Sequence, residues 1–473
     1  MQINKIIILG GGSAGWMTAA GLSAQLSHID VTLIESSDIS TIGVGESTLG
    51  EINAFLRMLD IKEEDWMASC HATYKMSIDF TNWDGKGTRF HYPFGFYPNF
   101  VQEGPLNRKD HWFHRKVLCE NIPPTEFAEF LWDTIEIIDN NKFTKNEDEF
   151  FRNFLTTGTS SDVAYHMDAS LFGEWLKNEY CKPKGVEHIV GTFAEAHQTE
   201  TGEIDYITLK GSDKKYHADL FIDCTGFHSV LTNKVLNVSD ISFSSLLIND
   251  RALATTIPYT DKNIEMETTT NATTMNAGWC WNIPLYNRIG TGYVYSSQFL
   301  TEDEAEKEFR EYLLKHRLPF ANKEPLKDIS RIKIKSGVKK EAWTKNVVAV
   351  GLNCGFIEPL ESTGLLFTHN TIRDLVRAIK LGKYGKNVTG YIRQSFNTWI
   401  HEFMSLASFV IFHYAFAQRN DTAYWKYISN EINYTGKDSQ LLQLKGLDEL
   451  KSMIATYSFL NNGFRGVPEP EGI

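Results

Sequence analysis

The sequence is poor in the features that mark several common classes of protein. Its 473 residues include six cysteines, and no two of them form a Cys-x-x-Cys pair. This distribution predicts reduced thiols and argues against a disulfide framework or a structural metal site. Lysine and arginine total 47 against 59 aspartate and glutamate, which gives a net charge of -12. Without a basic excess, both a nucleic-acid partner and an anionic membrane surface are disfavoured.

Long apolar runs, internal repeats and low-complexity tracts are also missing. No apolar run reaches the length that spans a membrane. The first one, Ile3–Leu9, leads into glycines rather than a small-residue cleavage site, so we interpret it as a strand and not as a signal peptide. With 42% hydrophobic and 22% charged residues, the chain is expected to be a soluble, cytoplasmic globular protein without a metal.

The N-terminal pattern predicts a βαβ unit. Ile3–Leu9 is a continuous apolar run, as expected for a strand buried on both faces of a parallel sheet. Ser13–Leu26 follows as a helix rich in small residues, and Val31–Glu35 is a second short buried strand. Such a unit prefers a parallel sheet with a crossover helix.

A glycine motif joins the first strand to the first helix. Gly10 allows a tight turn, Gly12 lets the backbone approach a pyrophosphate, and Gly15 permits close helix–strand packing. The helix N-terminus offers free amides to phosphates, and Glu35 follows at the distance expected of a ribose ligand. The alternative is a glycine turn with no ligand. The motif fits FAD or NAD, and residues 223–226 (Asp-Cys-Thr-Gly) resemble the second fingerprint of FAD-containing hydroxylase-type proteins.

The remaining segments predict an α/β fold. We expect a Rossmann-like, hydroxylase-type FAD-binding module over residues 1–384 and a C-terminal helical substrate-binding subdomain over 385–473. The module carries a helical insertion at about 50–182 and a β-rich one at about 186–295. Strands are expected at Leu220–Ile222 and Val347–Val350, and a strand-rich stretch at Arg251–Val294. An acidic amphipathic helix is expected at Thr301–His316. Further helices are expected at Leu365–Leu381 and beyond Tyr384, with a break at Arg419–Thr422.

Two further segments hold unusual side chains. Trp279 and Trp281 are two residues apart and so share one strand face, in the string Trp-x-Trp-x-Ile-Pro that ends at Ile283 and Pro284. Core aromatics that stiffen a sheet are the alternative interpretation. Lys75 stands in a largely apolar stretch. A lone lysine usually extends to solvent, whereas one held in a dry tunnel becomes a strong donor with a tunable pKa.

Glu361 precedes a predicted helix, in Pro-Leu-Glu-Ser-Thr-Gly over residues 359–364. Helix capping by Ser362 or Thr363 is the simpler interpretation. The same geometry would turn the amides of Thr363 and Gly364 into an anion cradle.

Together these segments resemble the flavin-dependent tryptophan halogenases. The resemblance rests on Gly10–Trp16, Lys75 in its context, Trp279–Pro284 and Pro359–Gly364, and it extends from Met1 to about residue 425. The Trp-x-Trp-x-Ile-Pro string together with Lys75 is highly specific, whereas the glycine motif alone is not.

The resemblance implies an FADH2- and O2-dependent halogenation. In the family, the flavin hydroperoxide oxidises a halide to hypohalous acid, which passes through a tunnel to the aromatic substrate. The counterpart of Lys75 activates this species, and the counterpart of Glu361 orients it or takes the proton lost from the ring. The Trp279–Trp281 pair would help to separate flavin from substrate. One dinucleotide fingerprint and no NAD(P)H module imply a separate NAD(P)H-dependent flavin reductase as partner.

The resemblance also assigns binding positions. It places flavin contacts along the glycine turn and at two later leucines, a covering strap at Gly43–Glu46, and a halide site at the start of the later helix. The cofactor positions are Gly10, Gly12, Ser13, Ala14, Gly15, Glu35, Gly43, Val44, Gly45, Glu46, Leu352 and Leu365, and the halide positions are Ser362, Thr363 and Gly364.

The substrate pocket is less sharply indicated. Residues 91–95 (His-Tyr-Pro-Phe-Gly) resemble the family's His-Pro-Phe-Gly sandwich around indole, with an inserted tyrosine. Phe94 and then His91 are expected to stack on the substrate, and Trp425 belongs to the helical region that closes over it. The substrate is left open between tryptophan, indole and another electron-rich arene, as are the halide, the ring position and homo-oligomer formation. The alternatives are an FAD-dependent aromatic monooxygenase and a catalytically silent flavin-binding or tRNA-associated scaffold.

Overall fold

Three stretches that are distant in sequence, Met1–Ala72, Met167–Phe243 and Lys335–Met404, form the first of two structural units. The second unit comprises Thr73–His166, Ser244–Ile334 and Ser405–Ile473. The structure is a computed structural model, and its described residues are 1–37, 45–94, 128–129, 132, 134–141, 163–315, 328–401, 403–415, 417 and 419–432.

The strands are numbered in chain order. They are β1 (Lys5–Leu9), β2 (Asp30–Glu35), β3 (Glu46–Ser47), β4 (Thr73–Lys75), β5 (Ser77–Thr81), β6 (Arg89–Pro93), β7 (Ala164–Met167), β8 (Glu187–Val190), β9 (Phe193–Gln198), β10 (Ile204–Leu209), β11 (Ser212–His217), β12 (Leu220–Asp223), β13 (Asp240–Ser242), β14 (Arg251–Ile257), β15 (Thr269–Met275), β16 (Gly278–Pro284), β17 (Ile289–Tyr295), β18 (Ser330–Lys333), β19 (Gly337–Lys339), β20 (Trp343–Thr344), β21 (Val347–Ala349) and β22 (Gly355–Phe356).

The helices are numbered in the same way. They are α1 (Ser13–Gln25), α2 (Ile52–Leu59), α3 (Glu63–Trp66), α4 (Ile135–Asp139), α5 (Ala169–Trp175), α6 (Lys262–Glu265), α7 (Glu302–Lys315), α8 (Thr363–Leu381), α9 (Gly390–His401), α10 (Phe403–Ala415) and α11 (Ala423–Asn430). A π-helical segment, Leu176–Cys181, continues α5.

The first unit is built on a six-stranded sheet in the order β20-β21-β12-β1-β2-β8. All neighbouring pairs are parallel except β20 with β21. The apolar runs predicted to be buried strands form β1, β2, β12 and β21, and helix α1 connects β1 to β2. The predicted parallel sheet with its crossover helix is therefore confirmed.

Helix α1 is rich in small residues because other helices pack closely against it. It contacts α2, α5 and α8 in the same unit. A Cβ atom at Gly21 would lie 2.6 Å from the side chain of Ile372 on α8. A larger residue at this position would push α8 away from α1.

The second unit is built on a seven-stranded sheet in the order β18-β14-β17-β16-β15-β5-β6. Its pairs are antiparallel except β15 with β5. Helix α7 covers one face of this sheet, where Phe309 and Leu313 pack on Leu253, Cys280 and Tyr293. The predicted acidic amphipathic helix and the strand-rich stretch before it are confirmed.

Residues 73–93 and 164–167 form strands β4 to β7 rather than the predicted helical pattern. The strand β5 pairs in parallel with β15, so that Ile78 lies opposite Thr270. Pairing over such a sequence separation determines the conformation here, and it has no local signature. The predicted division into domains remains a prediction.

The described ranges contain neither a candidate membrane span nor a candidate metal cluster. None of the helices there combines the length and the apolar content that crossing a bilayer requires. No group of three or more His, Cys, Asp or Glu side chains in the same ranges is arranged to hold a metal ion.

His369 is a buried polar residue in the apolar interior of the first unit. Its ring stacks on Phe55, with 5.9 Å between centroids, and neither ring nitrogen has a hydrogen-bond partner among the described residues. Burial, helped by the positive charge of Arg373, lowers the pKa of His369 to about 3. The neutral imidazole is therefore the folded form.

We predict that His369 makes the protein sensitive to acid. In the unfolded chain His369 binds a proton near pH 6.5, whereas in the folded chain it stays neutral. The free energy of unfolding therefore decreases as pH falls from 6.5 towards 3. Protonation of His369 in the unfolded chain lowers the free energy of unfolding by about 2 kcal/mol between pH 8 and pH 5. His369→Phe should flatten the dependence of the melting temperature on pH, whereas His228→Gln, at an exposed histidine, should not. An unchanged dependence in His369→Phe would contradict the prediction.

Candidate active site

Two glycines of the first turn are required by the approach of other backbone atoms. Gly10 has φ 113°, and a Cβ atom there would lie 2.4 Å from the carbonyl oxygen of Cys224. At Gly15 it would lie 1.9 Å from the carbonyl oxygen of Gly10. Gly12 precedes α1 and has no side chain to cap it. The first amides of α1, including those of Ser13 and Ala14, therefore stay available to a phosphate, as expected of a dinucleotide site.

Three parallel strands end at this turn. The amide of Cys224, after β12, donates to the carbonyl of Leu9 at 2.8 Å. After β21, Gly351 has φ 71°, and a Cβ atom there would lie 2.6 Å from the Cβ of Ala14. Leu352 follows and is partly exposed. The structure thus brings the glycine turn and Leu352 together at the carboxyl ends of the strands, where open α/β sheets bind ligands.

The second fingerprint organises its own turn. The carboxylate of Asp223 is fully buried and accepts the backbone amides of Thr225, Leu231 and Thr232 at 2.8–3.2 Å. Its backbone carbonyl accepts the side-chain amide of Asn353 at 2.8 Å. These bonds fix the loop after β12 beside the glycine turn.

The Glu35 carboxylate lies over the glycine turn and is held there by two donors. A Cβ atom at Gly11 would lie 1.7 Å from its Oε2 atom. Its Oε1 atom binds Lys177 Nζ at 2.9 Å and His188 Nε2 at 2.7 Å. Lys177 and His188 were missed by sequence reasoning, because their approach to Glu35 depends on the packing of the π-helical segment and of β8.

The start of α8 is an uncapped helix end. Ser362 has φ 56° and makes no side-chain cap, and its hydroxyl instead donates to Ser47 Oγ at 3.0 Å. The hydroxyl of Thr363 is buried without a hydrogen-bond partner among the described residues. Apart from its chain neighbours and the backbone of α8, no described atom lies within 4 Å of where a Cβ atom of Gly364 would be. Free amides, a lone hydroxyl and open space together fit an anion better than the capping interpretation does.

Buried carboxylates and a buried leucine surround this helix start in the same unit. Glu361, at the end of a short 3-10 turn, is almost completely buried, and Leu365 is buried in the first turn of α8. Glu358 is also fully buried. Sequence reasoning missed Glu358, since nothing in the local pattern marks it as an interior residue.

The strap is described only at its end. Gly43 and Val44 lie outside the described residues, while Gly45 has φ 105° and Glu46 begins β3. Burial, and then the nearby carboxylate of Asp168, raise the pKa of Glu46 to about 7. Asp168 caps α5 by accepting two of its backbone amides. Glu46 therefore changes its charge near neutral pH.

Lys75 belongs to the second unit and does not extend to solvent. It ends β4 opposite Ala164 on β7, and its side chain is fully buried. Its ammonium lies 4.8 Å from the centroid of the Phe94 ring, within the range of a cation–π interaction. The two residues that sequence reasoning assigned to catalysis and to substrate stacking are thus neighbours.

The two tryptophans lie on one face of β16, as alternation predicts. Trp279 and Trp281 are buried, with 6.2 Å between ring centroids. A Cβ atom at Gly292 on β17 would lie 2.1 Å from the Trp281 ring. Cys280 faces the other way, into the core beneath α7. Ile283 and Pro284 end the strand and are buried.

His91 and Trp425 both have their polar atoms engaged within the second unit. His91 contacts Ser77 Oγ through Nδ1 at 3.2 Å and Asp139 through Nε2 at 3.0 Å. Trp425 is fully buried, and its indole N–H donates to the carbonyl of Met275 at 2.8 Å. Both side chains are held within the packing of this unit.

An aromatic cluster around Phe80 was not assigned from the sequence. His413 on α10 stacks on Phe80 at 4.3 Å, and Trp83 contacts both rings. Trp83 also meets the edge of Trp425. The apolar spacing of β5 signals burial, but the arrival of α10 over these rings depends on long-range packing.

Known proteins resemble this chain along most of its length. A family model described as tryptophan halogenase matches residues 5–446. Tryptophan 6-halogenase SttH from Streptomyces toxytricini is 35% identical over 445 residues, which cover 89% of this chain and 80% of the relative. The VirX1 apo structure matches with a TM-score of 0.85 and 40% identity, covering 97% of this chain and 84% of that one. Xcc4156, a flavin-dependent halogenase from Xanthomonas campestris, matches with a TM-score of 0.78 and 28% identity, over 96% of this chain and 83% of its own.

We predict that Glu46→Gln stabilises the protein increasingly as pH rises from 4.5 to 7. The folded-state pKa of Glu46 is raised, so the wild type loses stability over this window while the neutral glutamine does not. The difference in the free energy of unfolding should approach about 3 kcal/mol at pH 8 as an upper bound. Melting temperatures measured across this range test it, with Glu51→Gln at an exposed carboxylate as the control. A constant difference between Glu46→Gln and wild type at all pH values would refute the assignment.

Proposed function

This chain belongs to the tryptophan halogenase family, and we propose that it halogenates an electron-rich aromatic ring with FADH2, O2 and a halide ion. The reaction replaces one ring hydrogen. It consumes the aromatic substrate, a halide, a proton, O2 and FADH2, and it yields the halogenated ring, FAD and two water molecules. The observation that carries the proposal is the buried ammonium of Lys75 beside the Phe94 ring, 4.8 Å from its centroid.

The first unit fits a flavin dinucleotide. The turn at Gly10 and Gly12 and the free amides of α1 would hold the pyrophosphate, and Glu35 would accept the ribose hydroxyls. The Gly45–Glu46 end of the strap, Leu352 and Leu365 would contact the flavin. When bound, reduced flavin supplies the two electrons with which O2 can oxidise a halide. A separate NAD(P)H-dependent flavin reductase would supply the reduced form.

The start of α8 fits the halide. The backbone amides of Thr363 and Gly364 lie at the N-terminus of α8, the positive end of the helix dipole. The Thr363 hydroxyl is a further donor and has no hydrogen-bond partner among the described residues. Ser362 would shape the turn, because its left-handed conformation directs the helix start.

Lys75 would act on the oxidised halogen species. Because its ammonium is removed from water, a hydrogen bond from it polarises an acceptor more strongly than a solvated lysine does. Glu361, also buried, would orient that species or accept the proton lost from the ring. An acid and a base in dry surroundings suit an aromatic substitution.

The substrate would be an indole or a similar electron-rich arene. Phe94 supports this assignment, since its ring adjoins Lys75 and can stack on an aromatic substrate. His91 and Trp425 would shape the surrounding packing. SttH is a tryptophan 6-halogenase, so we propose tryptophan as the first substrate to test. Direct hydroxylation of the aromatic ring is the competing reaction, and it does not require Lys75.

We predict that Lys75→Ala abolishes halogenation while oxidation of FADH2 continues. The loss should be at least about 100-fold, the usual effect of removing a proton donor. Mass spectrometry of an arene panel with FAD, a reductase, NADH and chloride, bromide or iodide measures it. Lys75→Met serves as a variant of similar volume, and Lys86→Ala at an exposed lysine of the same unit is the control. Halogenated product from Lys75→Ala would contradict the proposed role of Lys75. Hydroxylated product from the wild type would favour the alternative function, an aromatic monooxygenase.

We predict that Gly364→Ala weakens halide binding without destabilising the fold. The added methyl group meets no described atom within 4 Å, and alanine favours a helix over glycine by about 1 kcal/mol. The methyl group would instead enter the space proposed for the anion, so the bromide concentration for half-maximal rate should rise about 10-fold or more. Gly390→Ala, at the start of α9, is the matched control. An unchanged bromide dependence in a stable Gly364→Ala protein would exclude the proposed site.

A further inference from the structure

A chain of three hydrogen bonds lies two residues from Lys75 in the second unit. His166 on β7 is opposite Thr73 on β4, just as Ala164 is opposite Lys75. Its Nδ1 atom lies 3.1 Å from Thr73 Oγ1, and its Nε2 atom lies 2.9 Å from Thr270 Oγ1 on β15. Thr73 Oγ1 is in turn 2.6 Å from the carbonyl oxygen of Pro284.

The directions of these bonds follow from the available protons. The carbonyl of Pro284 can only accept, so Thr73 gives it the single proton of its hydroxyl. The Thr73 oxygen must then accept from His166, which places a proton on Nδ1. In a neutral imidazole Nε2 is bare, so it accepts the proton of the Thr270 hydroxyl. Of the two tautomers of the neutral ring, only the one protonated at Nδ1 completes these hydrogen bonds.

The surroundings of His166 favour that neutral ring. His166 is fully buried, as is Lys75. Burial, and then the ammonium of Lys75, hold the pKa of His166 well below its usual range. A second positive charge beside Lys75 is therefore avoided, and both ring nitrogens serve as hydrogen-bonding groups.

These hydrogen bonds anchor the face of strand β4 that carries Lys75. Side chains two residues apart on a strand point to the same face, so Thr73 and Lys75 share one. Through Thr73 this face is tied to Pro284, the last residue of the Trp-x-Trp-x-Ile-Pro strand, and through His166 to β15. Hydrogen bonds made by the side chains of Thr73 and His166 thereby connect the three-residue strand β4 to the seven-stranded sheet.

We propose that His166, acting through the hydroxyl of Thr73, is a positioning residue that holds Lys75 in its reactive orientation. This inference rests on the proposed function of Lys75. His166 itself does not touch the reacting atoms in this scheme. Its contribution is to fix the strand from which the ammonium extends, since small displacements of a catalytic group cost large factors in rate.

The test compares two substitutions that differ by one hydroxyl. Thr73→Val removes the hydroxyl at nearly constant volume, and Thr73→Ser keeps it. Thr256→Val is the control, because Thr256 is also buried and its hydroxyl has no partner among the described residues. For each protein we would measure the halogenated product formed per FADH2 oxidised, the Kd for FAD and the melting temperature.

We expect the product per FADH2 to fall about 10-fold or more in Thr73→Val, with FAD binding and flavin oxidation unchanged. Thr73→Ser and Thr256→Val should stay within about 2-fold of wild type. A merely structural role would lower FAD binding and stability together with the yield. Equal losses in Thr73→Val and Thr73→Ser, or no loss in either, would overturn the proposal.

A second measurement separates this inference from the proposed function. The 13C NMR signal of Lys75 Cε, assigned by its absence in Lys75→Ala, should shift in Thr73→Val but not in Thr73→Ser or Thr256→Val. The 15N signals of His166 should show a neutral ring protonated at Nδ1. If the wild type made no halogenated product the proposed function would fail, whereas an unmoved Lys75 signal in Thr73→Val would reject the positioning role by itself.

Discussion

The carbonyl oxygen of Cys224 comes so close to Gly10 that no side chain fits between them. This contact holds the ends of β1 and β12 together at the point where α1 begins. A side chain at Gly15 would likewise clash with Gly10, and one at Gly351 would clash with Ala14. The first unit therefore brings bare backbone together at the carboxyl edge of its sheet, and helix amides are left there for phosphates. The proposed dinucleotide site rests on this packing rather than on any one side chain.

The second unit keeps the ammonium group of Lys75 out of water. Lys75 has the Phe94 ring on one side and a neutral histidine nearby, and neither adds positive charge. The threonines around His166 satisfy its nitrogens, so the polar groups beside Lys75 are paired rather than stranded. Such pairing is what makes buried polar residues tolerable.

Much of the fold could be predicted because its signals are local. The apolar runs of β1 and β12 and the glycines between β1 and α1 mark the parallel sheet directly. Strands β4 to β7 could not be predicted in this way. Strand β5 pairs with β15, about 190 residues further along the chain in the case of Ile78 and Thr270, and β4 pairs with β7, about 90 residues away. The partners of Glu35 also come from distant segments, since Lys177 and His188 follow it by 142 and 153 residues.

Residue types and their spacing specify the chemistry that is available: a glycine turn, a lysine and a glutamate in specific strings, and two tryptophans on one strand face. These are properties of residue type and spacing, and they survive without knowledge of the fold. Which groups are dry, paired or open depends on the fold. Lys75 is buried, Ser362 contacts Ser47 instead of capping α8, and His166 bonds two threonine hydroxyls, because burial and hydrogen bonding depend on neighbours that the chain brings together only on folding.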